Sequence, residues 1–147
     1  MGMQGAAAER ILALDVGKRR IGIAISDPLR ITAQGLETLE RKTTRQDYAA
    51  ITRLARENGV GLILVGYPIG LSGRETAQTE FVRRFAAGLE ERSGLPVKLW
   101  DERLTSVEAG RVLRESGVGI GKRARAVDRL SAVLILQNYL DSLGATL

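Results

Sequence analysis

The chain contains neither cysteine nor histidine. Without cysteine there is no disulfide framework and no thiolate metal site, and nothing points to an oxidising compartment, so a cytoplasmic protein is expected. Without histidine the commonest general base is missing, together with every Ser-His or Cys-His nucleophile pair and the imidazole ligands that zinc, copper and non-haem iron favour. Any chemistry falls to carboxylates, amines, hydroxyls or a hard metal ion. Aromatic residues are 4% of the chain, which leaves few platforms for stacking bases. Apolar runs such as AVLILQ, residues 132–137, fall far short of a membrane span. The opening MGMQGAAAE has no basic leader region and no long apolar stretch, so residues 1–9 read as a disordered extension before a single domain over residues 10–147.

What is present is positive charge. The net charge is +5, and 18 of the 22 cations are arginine. Arginine's planar fork pairs bidentately with phosphate, so this surface favours a polyanionic partner such as nucleic acid, with no membrane role. A hydrophobic fraction of 44% and a charged fraction of 27% over 147 residues describe one folded domain.

The first third alternates as strands do: RILALDV, RRIGIAISD and ITAQGLETLE, divided by Gly17 to Arg19 and by an Asp27-Pro28 turn. TTRQDYAAITRLAREN then places Tyr48, Ile51, Leu54 and Ala55 at helical spacing behind a Thr43 or Thr44 cap, with Gly59 as the stop. VGLILVGYP reads as a strand buried on both faces, residues 74–92 as a helix, and LPVKLWDE as a fifth strand. A capping box at Thr105 to Glu108 predicts a helix to about Ser116, GVGIGKRAR a glycine-rich basic loop, and VDRLSAVLILQNYLDSL a final helix. The order predicts an α/β fold with a mixed five-stranded sheet, three antiparallel N-terminal strands and helices on both faces.

Three acidic positions break the apolar pattern. Asp15 shares a strand face with the core types Ile11 and Ala13, although it would also serve to cap the Gly17 bend. Asp101 and Glu102 close a second apolar strand, where either would also suit a helix dipole or a pair with Arg103. Asp128 lies on one helical stripe with Ala132, Ile135 and Tyr139, and a salt bridge to Arg125 or Arg129 would account for it. Parallel strand ends meet at one sheet edge, and a final helix packed there would add a third carboxylate. Clustered carboxylates repel and raise one another's pKa unless a divalent cation holds them ionised. An all-oxygen donor set selects Mg²⁺ or Mn²⁺, and a pair of such ions beside a basic surface describes metal-assisted phosphodiester hydrolysis.

DVGKRRIGIAISD, GYPIGLSGRE, DERLTSVEA and VDRLSAVLILQNYL, in this order, resemble the YqgF family, also called RuvX, from about residue 10 to residue 143. The resemblance implies a ribonuclease H-like fold related to the RuvC resolvases. It also implies a nuclease for the 5′ end of the small-subunit ribosomal RNA precursor or, as in some members, a Holliday junction resolvase acting on branched DNA. It places the catalytic and metal-binding acids at Asp15, Glu102 and Asp128, with Asp101 in reserve because strand parity alone does not choose between the adjacent acids. Where the family often reads G-L-P-x-N-x-D-G, this chain carries Gly70 and Ser72 in place of the amide and the carboxylate, within a retained Gly66 and Gly73 frame. Lys18, Arg19 and Arg20 beside Asp15, and Arg103 beside Glu102, are then candidates to hold phosphates at the cut. Lys122, Arg123 and Arg125, before Asp128, would follow a nucleic-acid backbone from a mobile loop. A resolvase would form a homodimer to make paired cuts, and the apolar face from Phe81 to Leu89 is either that surface or a sheet-facing one.

LDVGKRRIG also resembles the phosphate-binding turn of the actin and sugar-kinase ATPases, but those need two such domains. The glycine loop fails as a P-loop, since Ser116 stands at the first glycine and Arg123 at the required Ser or Thr. A rival of another class is a non-catalytic RNA-binding protein of ribosome assembly, which would bind RNA equally well in EDTA and leave it intact.

Overall fold

The computed structural model describes residues 9–68, 75–101 and 120–144, with side chains of the last segment from Arg125 onward. Strands β1 (Arg10–Val16), β2 (Arg20–Ser26) and β3 (Ala33–Glu40) lead into helix α1 (Thr44–Glu57). Strand β4 (Val60–Tyr67), helix α2 (Ala77–Ser93), strand β5 (Val97–Asp101) and helix α3 (Ile120–Gly144) follow. The five strands form one sheet in the order β3-β2-β1-β4-β5. β1 pairs antiparallel with β2, and β2 with β3, whereas β4 and β5 run parallel to β1 and to each other. The mixed sheet is the one predicted.

Both faces are covered, which is why Ile11, Leu12, Ala13 and Leu14 are all fully buried in succession. Leu12, Leu14, Val16, Ile21, Ile23, Ile25, Ile63 and Val65 face one way, against Ile51 and Ala55 of α1 and Val82, Phe85 and Leu89 of α2. Each such aliphatic side chain contributes roughly 1.5–3 kcal/mol on burial. The face from Phe81 to Leu89 therefore packs on the sheet, and the alternative of a dimer surface there does not hold. Ile11, Ala13, Ala24 and Leu64 face the other way, against Ala132, Ile135, Leu136 and Tyr139 of α3.

The helix ends follow local chemistry. Thr43 caps α1, its hydroxyl accepting from the Gln46 amide while Gln46 reaches back to the Thr43 amide. α2 begins at Ala77, later than the predicted start, because Thr76 and Thr79 form a reciprocal cap; Gly94, at φ +74°, ends the helix in the left-handed conformation. The predicted basic loop over GVGIGKRAR is corrected from Ile120 onward: α3 begins there, so Lys122, Arg123 and Arg125 lie on helical backbone, while residues 117–119 lie outside the described residues. No proline interrupts this stretch, and extending an anchored helix is far easier than nucleating one, which overcomes the glycines. Residues 1–8 of the extension predicted over residues 1–9, the Gly70 and Ser72 positions and the helix predicted from Thr105 to Ser116 lie outside the described residues. Among the described residues no helix is long and apolar enough to cross a membrane.

Candidate active site

Asp15 stands near the end of the central strand β1, half-buried on the face that α3 covers. Its partner across the antiparallel ladder is Gly22 of β2. On the other side Leu14 pairs with Val65 of β4, so the next step sets Gly66 beside Asp15. Both strand neighbours of the carboxylate thus lack side chains. One consequence is visible at Gly22, where a Cβ would run into the main chain of Asp128, within van der Waals overlap of its carbonyl. The glycine lets α3 descend onto the sheet beside Asp15.

The stripe read from the sequence holds along α3. Ala132, Ile135 and Tyr139 are buried, and Asp128, one turn earlier, emerges at the margin. Its partner is neither Arg125 nor Arg129: Arg20 Nε meets Asp128 Oδ2 at 2.9 Å, both side chains 26% exposed. Arg20 falls on the same face as Gly22 by strand alternation and reaches the acid across the gap left by the missing side chain. It therefore holds a candidate acid in place, in addition to any phosphate it contacts. Arg125 lies 3.9 Å from Glu40, and Arg129 donates to the Leu36 carbonyl at 3.2 Å. The Thr38 hydroxyl donates to the Arg125 carbonyl at 3.2 Å, which fastens the start of α3 to β3.

The alternation of β5 gives the face on which Asp101 falls. Trp100 faces α3, donating to Asn138 Oδ1 at 3.0 Å and meeting the Tyr139 ring edge-on at 5.0 Å. Val97 and Leu99 pack on the opposite face, and alternation puts Asp101 with them. Glu102 and Arg103 themselves lie outside the described residues, as do the side chains of Lys122 and Arg123. Among the described residues no group of three acids forms a metal site.

Lys18 and Arg19 are exposed on the tight turn between β1 and β2, where the Gly17 amide donates to the Arg20 carbonyl at 3.0 Å. Sequence reasoning missed what holds this turn. Arg41 donates through its amide to the Arg19 carbonyl at 2.9 Å and through a guanidinium nitrogen to the Gly17 carbonyl at 3.2 Å. Its Nε binds Asp47 Oδ2 at 2.9 Å, Asp47 being 2% exposed, and the guanidinium lies over the Phe81 and Phe85 rings. The other Asp47 oxygen accepts from the Lys42 amide at 3.0 Å. The available signal was Asp47 itself, four residues before Ile51 on an apolar helical stripe.

The RuvX family model, described as Holliday junction resolvase, matches residues 9–142. The chain belongs to the RuvX family. A relative from Koribacter versatilis, named a candidate pre-16S rRNA nuclease, is 60% identical over 135 residues, covering 92% of this chain and 88% of its own. A Moorella thermoacetica relative of the same name is 48% identical over 92% of this chain and 96% of its own. Solved structures share the fold at low identity. Thermus thermophilus RuvC, solved in complex with a Holliday junction substrate, superposes with TM-score 0.58 at 14% identity, covering 92% of this chain and 96% of that one. The fowlpox virus Holliday junction resolvase superposes at 0.53 with 12% identity, covering 91% and 99%. The RuvX chain thus has the RuvC-like, ribonuclease H-like architecture that its motifs implied.

Proposed function

We propose that this RuvX chain is a divalent-metal-dependent endonuclease that hydrolyses phosphodiester bonds at the 5′ end of precursor 16S ribosomal RNA, in the cytoplasm. The names of its relatives support the substrate. The main support for the site is the seating of the Asp128 main chain on Gly22, the residue paired with Asp15. The donor set suits a hard cation: carboxylate oxygens with no imidazole or thiolate anywhere in the chain. Asp15, Asp128 and Glu102 would hold Mg²⁺ or Mn²⁺. Two such ions would supply an activated water and stabilise the leaving oxygen. Arg20 binds one oxygen of Asp128, Oδ2, at 2.9 Å. Lys18 and Arg19 on the turn, Arg103, and Lys122, Arg123 and Arg125 at the start of α3 would draw in and position phosphates.

A second substrate, the Holliday junction, is favoured by the description of the family model, and paired cutting there would require two copies of the chain. Incubating the protein with a precursor rRNA fragment and a four-way DNA junction, each with Mg²⁺, Mn²⁺ or EDTA, tests both readings. RNA cut only with metal present is the expected result. Cutting of the junction alone would move the substrate assignment to DNA. Binding in EDTA without cutting under any condition would leave an RNA-binding assembly protein.

A further inference from the structure

On the side of the sheet away from Asp15 and Asp128, a groove of about 410 Å³ runs between α1 and α2. Arg53 and Arg56 line it from α1 and Arg92 from α2, beside the Thr52 hydroxyl, with Glu57 the one carboxylate in the lining. The other arginines of α2 have acidic partners: Arg83 binds Glu75 and Glu80, and Arg84 binds Glu80. Arg53, Arg56 and Arg92 form no ion pair among the described residues, although three like charges around one groove repel each other. The groove floor is firm, because the Tyr48 hydroxyl donates to the Phe85 carbonyl at 3.0 Å and so ties the two helices together. Burial pushes the Tyr48 phenol above its ordinary pKa, while the positive charges of Arg41 and Arg92 oppose that rise.

We propose that the groove formed by Arg53, Arg56 and Arg92 is a second phosphate-binding site, which holds the backbone of a nucleic-acid segment distinct from the one cut at the acids. Guanidinium groups without carboxylate partners match bidentate phosphate recognition, and an incoming polyanion relieves their mutual repulsion. The groove and the acids lie on opposite faces of a sheet that carries a helix layer of about 10 Å on each side. A single phosphodiester cannot touch both, so the groove serves substrates long enough, or branched enough, to wrap an edge of the domain. This assignment rests on the nuclease reading for the identity of the polyanion.

The test compares wild type with the Arg53→Ala, Arg56→Ala, Arg92→Ala triple variant, by fluorescence anisotropy in EDTA over a range of salt. One probe is a strand of about six nucleotides, spanning roughly 20 Å, and the other is a folded precursor RNA several times longer. The triple variant should bind the long RNA about tenfold or more weakly and with a salt slope shallower by about two, while its binding of the short strand stays at the wild-type value. A triple lysine variant should keep most of the slope. Unchanged affinity and slope on the long RNA would overturn the site and leave the groove to an acidic protein segment. Equal losses on both probes would make the arginines structural and also overturn it. Because binding is read without metal, a protein that never cuts yet shows the length-dependent loss would retain this site and lose only the nuclease assignment.

Discussion

The two faces of one sheet are built to different rules. Toward α1 and α2 the strands present large aliphatics along their whole length: Leu12, Leu14 and Val16 on β1, and Ile21, Ile23 and Ile25 on β2. Toward α3 the same strands taper. β1 reads Ile11, Ala13, Asp15, and the residues facing them on β2 shrink from Ala24 to Gly22 before ending in Arg20. One face supplies cohesion. The other gives up side-chain volume toward the strand end, so that a helix backbone comes close and carboxylates surface at its margin.

Four substitutions sharpen that contrast. On the cohesive side, Asp47→Ala strands the Arg41 guanidinium, which is 9% exposed, and should cost roughly 3–5 kcal/mol in chemical denaturation. Because Arg41 also holds the Gly17 and Arg19 carbonyls, the folded fraction of this variant should cut more slowly as well. Gly22→Ala puts a Cβ into the Asp128 main chain. It should destabilise by about 3 kcal/mol, at the upper end for overpacking, and cleavage per folded molecule should fall with it. Wild-type stability for Gly22→Ala would show that α3 does not need the close approach.

Arg20→Gln should cost no more than about 1 kcal/mol, since the pair with Asp128 is partly exposed and screened. Its cleavage rate should fall much further than its stability, and a parallel loss of both would make Arg20 a purely structural pair. The smallest effect belongs to Asp27, whose carboxylate accepts from the Leu29, Ile31 and Thr32 amides between β2 and β3. These bonds, the Thr32 one foremost, hold its pKa below the ordinary 3.8. A depressed native pKa means that the loop's contribution is present above the unfolded-state value and lost as pH falls through the native one. The stability gap between wild type and Asp27→Asn, read from urea midpoints, should therefore shrink below pH 3.8.

The strands, their pairing and the core-facing stripe of Asp128 were legible because each is a local periodicity that burial then enforces. Three features were not. Gly22 reads as one more residue in an alternating strand until a helix more than a hundred residues away is seen to rest on it. Asp47 passes as a first-turn acid of α1, and its burial depends on Arg41 being folded back beneath two phenylalanines. The glycines before Lys122 suggested a loop, because propensity is local whereas the helix is anchored by its packed later turns. At the site, the sequence paired Asp128 with its helical neighbours. The partner across the gap, Arg20, depends on a strand register that no local pattern specifies.

The central claim is that Asp15 is a reacting carboxylate at a metal-dependent cutting site. Single-turnover cleavage of the precursor RNA by wild type and Asp15→Asn, with Mn²⁺ or Mg²⁺ and with RNA binding measured in EDTA, tests it most directly. The variant should bind RNA as wild type does and cut it roughly a hundredfold or more slowly, equivalent to about 3 kcal/mol of lost transition-state stabilisation. Cleavage by Asp15→Asn at the wild-type rate would contradict the account.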